Sequence, residues 1–402
     1  MRMDAVELLD TTLREGEQCY GVFFSLSTKL RLARLLDQSG VTFIEVGHPA
    51  AAPSIRGAAA GISRLELRAQ LIGHARLDDS EIRLVRELGL PWVGLFSGIN
   101  GLSLARYALG HAAVLERIRR SVTAAKELGL SVRFTCEDAS RTGAGELTEL
   151  FGCLREWGAD RMSYADTVGI DTPGRLEELC RRFAGTVPFE ALHFHFHNDR
   201  GRAFANAVRA AGLGARCIDA SIMGVGERMG IVQLEDMLPW SDGAPASGPA
   251  DLPARAAAVR TAAALVASSI DGSRFRHRRF AHKSGIHVHG VCSDPRHYEA
   301  DDPAASGSPR LIVLSKLIGR TGLRALLARH GFEADEQGLG RLLGIVKSDD
   351  LLELADPEEV VRYFEENRAA PSICRDHDVP EARRCGRASP RLCGNNRQVM
   401  KK

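Results

Sequence analysis

Short apolar runs of four to six residues alternate with stretches whose apolar positions recur every third or fourth residue, and the alternation persists to about residue 240. The runs predict strands at 6–10, 43–46, 70–73, 92–96, 132–135, 162–166, 192–197 and 217–220. Between them TKLRLARLLDQSG, SEIRLVRELGL, VLERIRRSVTAAKELGL and GELTELFGCLREWGA have the period of amphipathic helices, and several end in a glycine suited to a C-cap. Eight strand-then-helix units predict an α/β fold, a (β/α)8 TIM barrel. An open dinucleotide-binding sheet is the rival, but no GxGxxG follows the first run.

After Pro239 the pattern changes to SDGAPASGPADLPA, a hinge composition, followed by an Ala-rich helix over 254–268. A smaller, mainly helical C-terminal region follows, with the His-rich segment RHRRFAHKSGIHVHGVCSDPRHYEADDP and helices near 321–346 and 356–367. The expected division is a barrel over 1–240, linker and helix over 241–268, and a lid and helical subdomain over 269–367. Residues 368–402 lose apolar periodicity, and a disordered basic tail is expected there.

Composition narrows the function. The 53 Lys and Arg against 51 Asp and Glu give a net charge of +2, without the basic bias of a nucleic-acid or anionic-membrane binder. Residues 368–402 hold nine Lys/Arg and three Asp/Glu, so the tail carries +6 and residues 1–367 carry +2 − 6 = −4. Small-molecule partners are expected. Nine cysteines without a CxxC pair suit neither a disulfide framework nor a thiolate zinc site, and no window approaches the roughly 18 apolar residues of a membrane span. A cytoplasmic protein is expected.

Barrel strands present their C-terminal ends at one mouth. The first strand end offers Asp10, Arg14 and Glu15, and the seventh offers His195, His197, Asn198 and Asp199. Residues i and i+2 of a strand share a face, so His195 and His197 project together. With Glu15 as the nearest carboxylate they suit Zn2+, Mn2+, Fe2+ or Co2+ and leave positions open for substrate oxygens. A satisfied hydrogen-bond network inside the barrel would use the same histidines. The Gly-rich RTGAGEL and GVGERMG match no P-loop; the second follows the eighth strand, where barrels bind anions, and a tight turn would also explain its glycines. By spacing alone, 277–297 reads as a metal tract, a lid, or most simply a solvated basic loop.

DTTLREGEQ at the first strand, VRFTCEDASR at the fifth, YADTVGIDTP at the sixth, HFHNDRGRAFANA at the seventh, GVGERMGI at the eighth and AHKSGIHVHGVCSDPRHYE beyond the barrel together resemble the homocitrate synthase and isopropylmalate synthase family, over residues 6–350. The resemblance implies a metal-dependent Claisen condensation: acetyl-CoA loses a methyl proton, the enolate attacks a 2-oxo acid, and the thioester is hydrolysed. It implies Glu15, His195 and His197 as ligands of a divalent metal (Mn, Zn, Mg or Co), Arg14 on the developing alkoxide, and Thr167 on the 1-carboxylate. It places Glu137, His287 and Tyr298 in proton transfer, the last two from the partner subunit of a homodimer. Ile231, where isopropylmalate synthases carry an Asn ligand, and Glu rather than Asp in LREGEQ point to the homocitrate synthase branch.

By the same resemblance Arg133 meets the distal carboxylate of 2-oxoglutarate, with Thr135 and His74 nearby, so the acceptor carries a second anion. EVGHP at 45–49 departs from the family's Thr/Ser-rich turn and sets His48 beside the mouth, and Met229 replaces Asn. An extra cation suits a phosphonate, which makes 3-phosphonopyruvate, the acceptor of a 2-phosphonomethylmalate synthase in antibiotic biosynthesis, a candidate beside 2-oxoglutarate, with oxaloacetate third. Metal-dependent aldol lyases and carboxyltransferases share the barrel motifs but generally lack AHKSGIH. A non-catalytic metabolite-binding protein is the remaining alternative.

Overall fold

The structure is a computed structural model that describes residues 6–241, 252–367 and 373–375. Eight parallel strands close into a barrel in sequence order: β1 (Glu7–Asp10), β2 (Phe43–Glu45), β3 (Gln70–Ala75), β4 (Trp92–Ser97), β5 (Ser131–Cys136), β6 (Arg161–Asp166), β7 (Leu192–Phe196) and β8 (Cys217–Ala220). β8 returns to β1 in the register Glu7↔Cys217 to Asp10↔Ala220. Every apolar run read as a strand is one, with ends within two residues.

Helices cover the outer faces. Leu26–Gln38 begins at Ser25, whose hydroxyl accepts the Thr28 amide at 3.1 Å, and buries Leu32, Ala33 and Leu36 while Arg31 and Arg34 face water. Phe194 and Phe196 of β7 pack outward with the neighbouring rings Phe189 and Phe183, which leaves the alternate positions His193 and His195 inside the barrel.

The expected hinge, 242–251, lies outside the described residues. The Ala-rich helix Leu252–Ala267 belongs to the barrel wall rather than to a linker. Its Val259, Ala262 and Val266 join the barrel core, and Arg255 donates to the carbonyls of Ser39 at 2.6 Å and Ser241 at 3.1 Å. The C-terminal region has a second core that includes Val288, Leu323, Leu327, Leu339, Leu342, Val360 and Phe364. Within the expected disordered tail, Ile373–Arg375 pairs with Phe332–Ala334 and buries Ile373; the rest of 368–402 lies outside the described residues. Among the described residues no helix is long and apolar enough to cross a membrane.

Buried charges lock the C-terminal region onto the mouth. Glu17, just after β1, pairs with Lys29 at 2.7 Å and with Lys316 at 2.9 Å, while Lys283 reaches Glu353 and the carbonyls of Cys19 and Val22. Removing one partner would strand a desolvated charge, so this junction resists opening.

Candidate active site

The loop after β1 is shaped by Asp10, whose carboxylate accepts the Thr12 amide at 2.9 Å and hydroxyl at 2.8 Å; Thr12 Oγ1 in turn accepts the Ile222 amide at 2.9 Å. A single π-type turn, Thr12–Gly16, then carries Arg14 and Glu15 into the mouth. Arg14 is held by Glu45 at 2.5 Å and Glu15 at 2.8 Å. GVGERMG is a tight loop rather than an anion cradle. Gly230 has φ +77, a Cβ there would lie 2.0 Å from the Gly224 carbonyl oxygen, and Arg228 turns back onto Asp199 at 2.8 Å and the Thr167 carbonyl at 2.6 Å.

Glu15, His195 and His197 offer ligand atoms that all lie within 4.8 Å of one another. The two Nε2 atoms face each other at 3.3 Å, and His195 Nε2 lies 3.6 Å from Glu15. Asp219 sits 3.1 Å from His195 Nδ1, which fixes the Nδ1–H tautomer and turns the Nε2 lone pair inward. Burial and the charge of Arg228 hold His197 well below the ordinary histidine range. Burial also opposes charge on His195, yet Asp219 and Glu15 outweigh it and raise its pKa to about 9. Converging lone pairs under a negative potential fit a divalent cation. A second set, Glu7, His193 and Cys217, lies at the other end of the barrel. There His193 Nδ1 accepts from Arg133 at 3.3 Å, which leaves the proton on Nε2 and removes that nitrogen as a ligand.

Other expected positions fall differently. Thr167 Oγ1 accepts the Asp138 amide at 2.8 Å, so its own hydrogen is free to donate. His74 stacks on Phe96 at 4.6 Å, and burial beside Arg14 holds it neutral. His48 lines the cavity between barrel and lid, and its Nε2 is 2.8 Å from Glu81, which also binds Arg76. Arg133 lies deeper than expected. It is 1% exposed, and its donors reach Asp219 at 2.5 Å, Ser163 at 2.8 Å, and Glu45 and Thr135 at 3.2 Å each. The cationic pocket inferred from Arg133 is therefore a neutralised floor, because Glu45 bridges Arg14 and Arg133 from below. Sequence reading missed Glu45 and Asp219, although an acid inside the apolar runs FIEV and CIDA was the available signal.

The His-rich segment is a lid rather than a solvated loop. Ser284 caps the helix Gly285–Ser293, and His287 Nδ1 meets the Glu227 carboxyl. Burial and the neighbouring Glu15 raise the pKa of Glu227 to about 8. The His287 ring stacks on Tyr298 at 3.6 Å, and the Tyr298 hydroxyl donates to Glu137 at 2.5 Å. In this structure the lid lies over its own chain's barrel, anchored through Lys283 and Lys316. A cavity of about 360 Å³ between barrel and lid is lined by Arg14, Phe96, Arg106, Ile286 and Leu317 among others.

An eight-stranded barrel with two histidines and a carboxylate converging at its mouth defines a metal-dependent barrel enzyme. The HMGL-like family model matches residues 5–253, and the model described as homocitrate synthase post-HMGL domain-like matches 277–350. The homocitrate synthases of Saccharolobus islandicus and Saccharolobus solfataricus are each 34% identical over 371 residues, spanning 88% of this chain and 80% of theirs. The hydroxymethylglutaryl-CoA lyase of Pseudomonas aeruginosa, 22% identical, superposes with a TM-score of 0.58 over 67% of this chain and 95% of its own, a likeness of fold. The chain belongs to the homocitrate synthase and isopropylmalate synthase family, in its homocitrate synthase branch. It is accordingly an acyltransferase that condenses acetyl-CoA with a 2-oxo acid, and the family depends on a divalent metal.

Proposed function

We propose that the acceptor is 2-oxoglutarate, so that acetyl-CoA, 2-oxoglutarate and water give homocitrate and CoA. The observation that carries this is the match to homocitrate synthases through both the barrel and the lid region, joined to a mouth where Glu15, His195 and His197 converge. In this reading those residues hold the divalent ion, which supplies Lewis acidity toward the acceptor's oxo group. Arg14 faces the oxygen that gains charge, and the Thr167 hydroxyl donates to the 1-carboxylate. Thr135 and His74 line the side of the distal carboxylate, above the Arg133 floor. Glu137 takes the methyl proton in a site that His287 and Tyr298 close to water. Acetyl-CoA occupies the cavity between barrel and lid, whose wall also carries Arg117, Arg320 and Lys347 as cations for its phosphates. The phosphonate acceptor rested on His48 as an added cation and on Met229, and the match to homocitrate synthases does not support it. A homodimer remains part of the proposal.

Thiol release and product mass measured with 2-oxoglutarate, oxaloacetate, 2-oxoisovalerate and 3-phosphonopyruvate test the acceptor. The expected preference in kcat/KM is for 2-oxoglutarate; a preference for any of the other acceptors would overturn this reading. If Asp219 orients His195, Asp219→Asn should weaken metal binding about 10–100-fold, read by titration with Mn2+ or Zn2+. Unchanged metal affinity would remove Asp219 from that role.

A further inference from the structure

Arg106 was given no role by the motifs, yet it touches each group of the proton-transfer cluster except His287. It ends the helix Gly101–Tyr107 after β4, its side chain is only 5% exposed, and its guanidinium donates to Glu137 Oε2, to the Tyr298 hydroxyl and, at 2.7 Å, to the Tyr107 hydroxyl. It lies 4.8 Å from the Tyr107 ring centre and 5.5 Å from that of Tyr298. The same side chain forms part of the wall of the cavity between barrel and lid. One buried cation thus borders both the carboxylate and the space assigned to the thioester.

We propose that Arg106 is the counter-cation of the proton-transfer step, paired with the Glu137 carboxylate before the methyl proton moves and with the thioester oxygen afterwards. This rests on the reading of Glu137 as the proton acceptor. In the step, the methyl C–H bond breaks and its proton goes to a Glu137 oxygen. The C–H electron pair becomes the C=C bond of the enolate, and the carbonyl π pair moves to the thioester oxygen. One negative charge leaves the carboxylate and one appears on the enolate, with no change in the total. A fixed cation beside both oxygens stabilises the charge at either end without reorganising.

The electrostatics agree. Glu137 is faced by Arg106 and Tyr107 from the helix after β4, by His287, His297 and Tyr298 from the lid, and by Asp138 with its partner Arg141 on the following loop. Burial pushes the Glu137 carboxyl up, and Arg106 more than offsets this, holding it below the usual range. Losing Arg106 should therefore raise the carboxyl's pKa and move the acid limb of kcat to higher pH.

The test uses the full-length, metal-loaded enzyme with acetyl-CoA and 2-oxoglutarate, in wild type, R106Q, R106K and E137Q. R106Q should lose about 10²–10³-fold in kcat while the KM for 2-oxoglutarate moves less than about threefold and metal content is unchanged. R106K, or millimolar guanidinium added to R106Q, should restore at least about tenfold. A kcat for R106Q within about threefold of wild type would overturn the proposal, as would a loss that neither lysine nor guanidinium repairs. E137Q separates the two levels. If E137Q keeps wild-type kcat, the proton-transfer reading itself fails; if E137Q is inactive while R106Q works, only the role of Arg106 fails.

Discussion

A His197→Ala enzyme should purify without stoichiometric metal and lose at least about a thousandfold in kcat. Its Nε2 faces that of His195 at 3.3 Å, and its neutral state is enforced by burial beside Arg228, so alanine deletes one donor from a set of three. Lewis acidity contributes several kcal/mol to such a reaction, and each 1.36 kcal/mol is a factor of ten in rate. The loss should come with the metal: elemental analysis and CoA release should fall together, and melting temperature should change little at this rim position. Full metal content in the variant would remove His197 from the ligand set.

Arg133→Ala should act on stability first. The guanidinium is 1% exposed and lies against Glu45 and Asp219, both fully buried. Alanine leaves Glu45 with Arg14 alone and Asp219 with His195 alone, and breaking a buried pair in this way costs about 3–5 kcal/mol. The denaturation midpoint should fall accordingly, and metal binding should weaken as well, because Asp219 also orients His195. An unchanged midpoint with a raised KM for 2-oxoglutarate alone would return Arg133 to the role of reading the distal anion.

These two residues show what could be read in the sequence. His195 and His197 were legible because the i, i+2 rule at a strand end fixes both face and height. For Arg133 the same rule gave the inward face but not the depth, and depth decides whether an arginine meets solvent, substrate or buried acids. Glu45 and Asp219 escaped because an apolar run invites attention to its majority, while the strand register that brings Glu45, Arg133 and Asp219 together is a tertiary fact. Arg106 gave no signal, since LARY reads as ordinary helix surface until Glu137 and Tyr298 arrive from 31 and 192 residues away. The barrel itself was plain, because eight apolar runs of strand length separated by amphipathic helices admit few other closures. The Ala-rich helix follows a stretch of hinge composition, yet Val259, Ala262 and Val266 tie it to the barrel.

In the proposed mechanism, condensation at the mouth beneath the lid depends on the metal. The most direct test of this dependence is CoA release from acetyl-CoA and 2-oxoglutarate by enzyme stripped with chelator and titrated back with Mn2+. The expected rate is near zero without metal, rises to saturation at one ion per chain, and yields a product with the mass of homocitrate. CoA release that is indifferent to chelation, or no CoA release at full metal occupancy, would contradict the account.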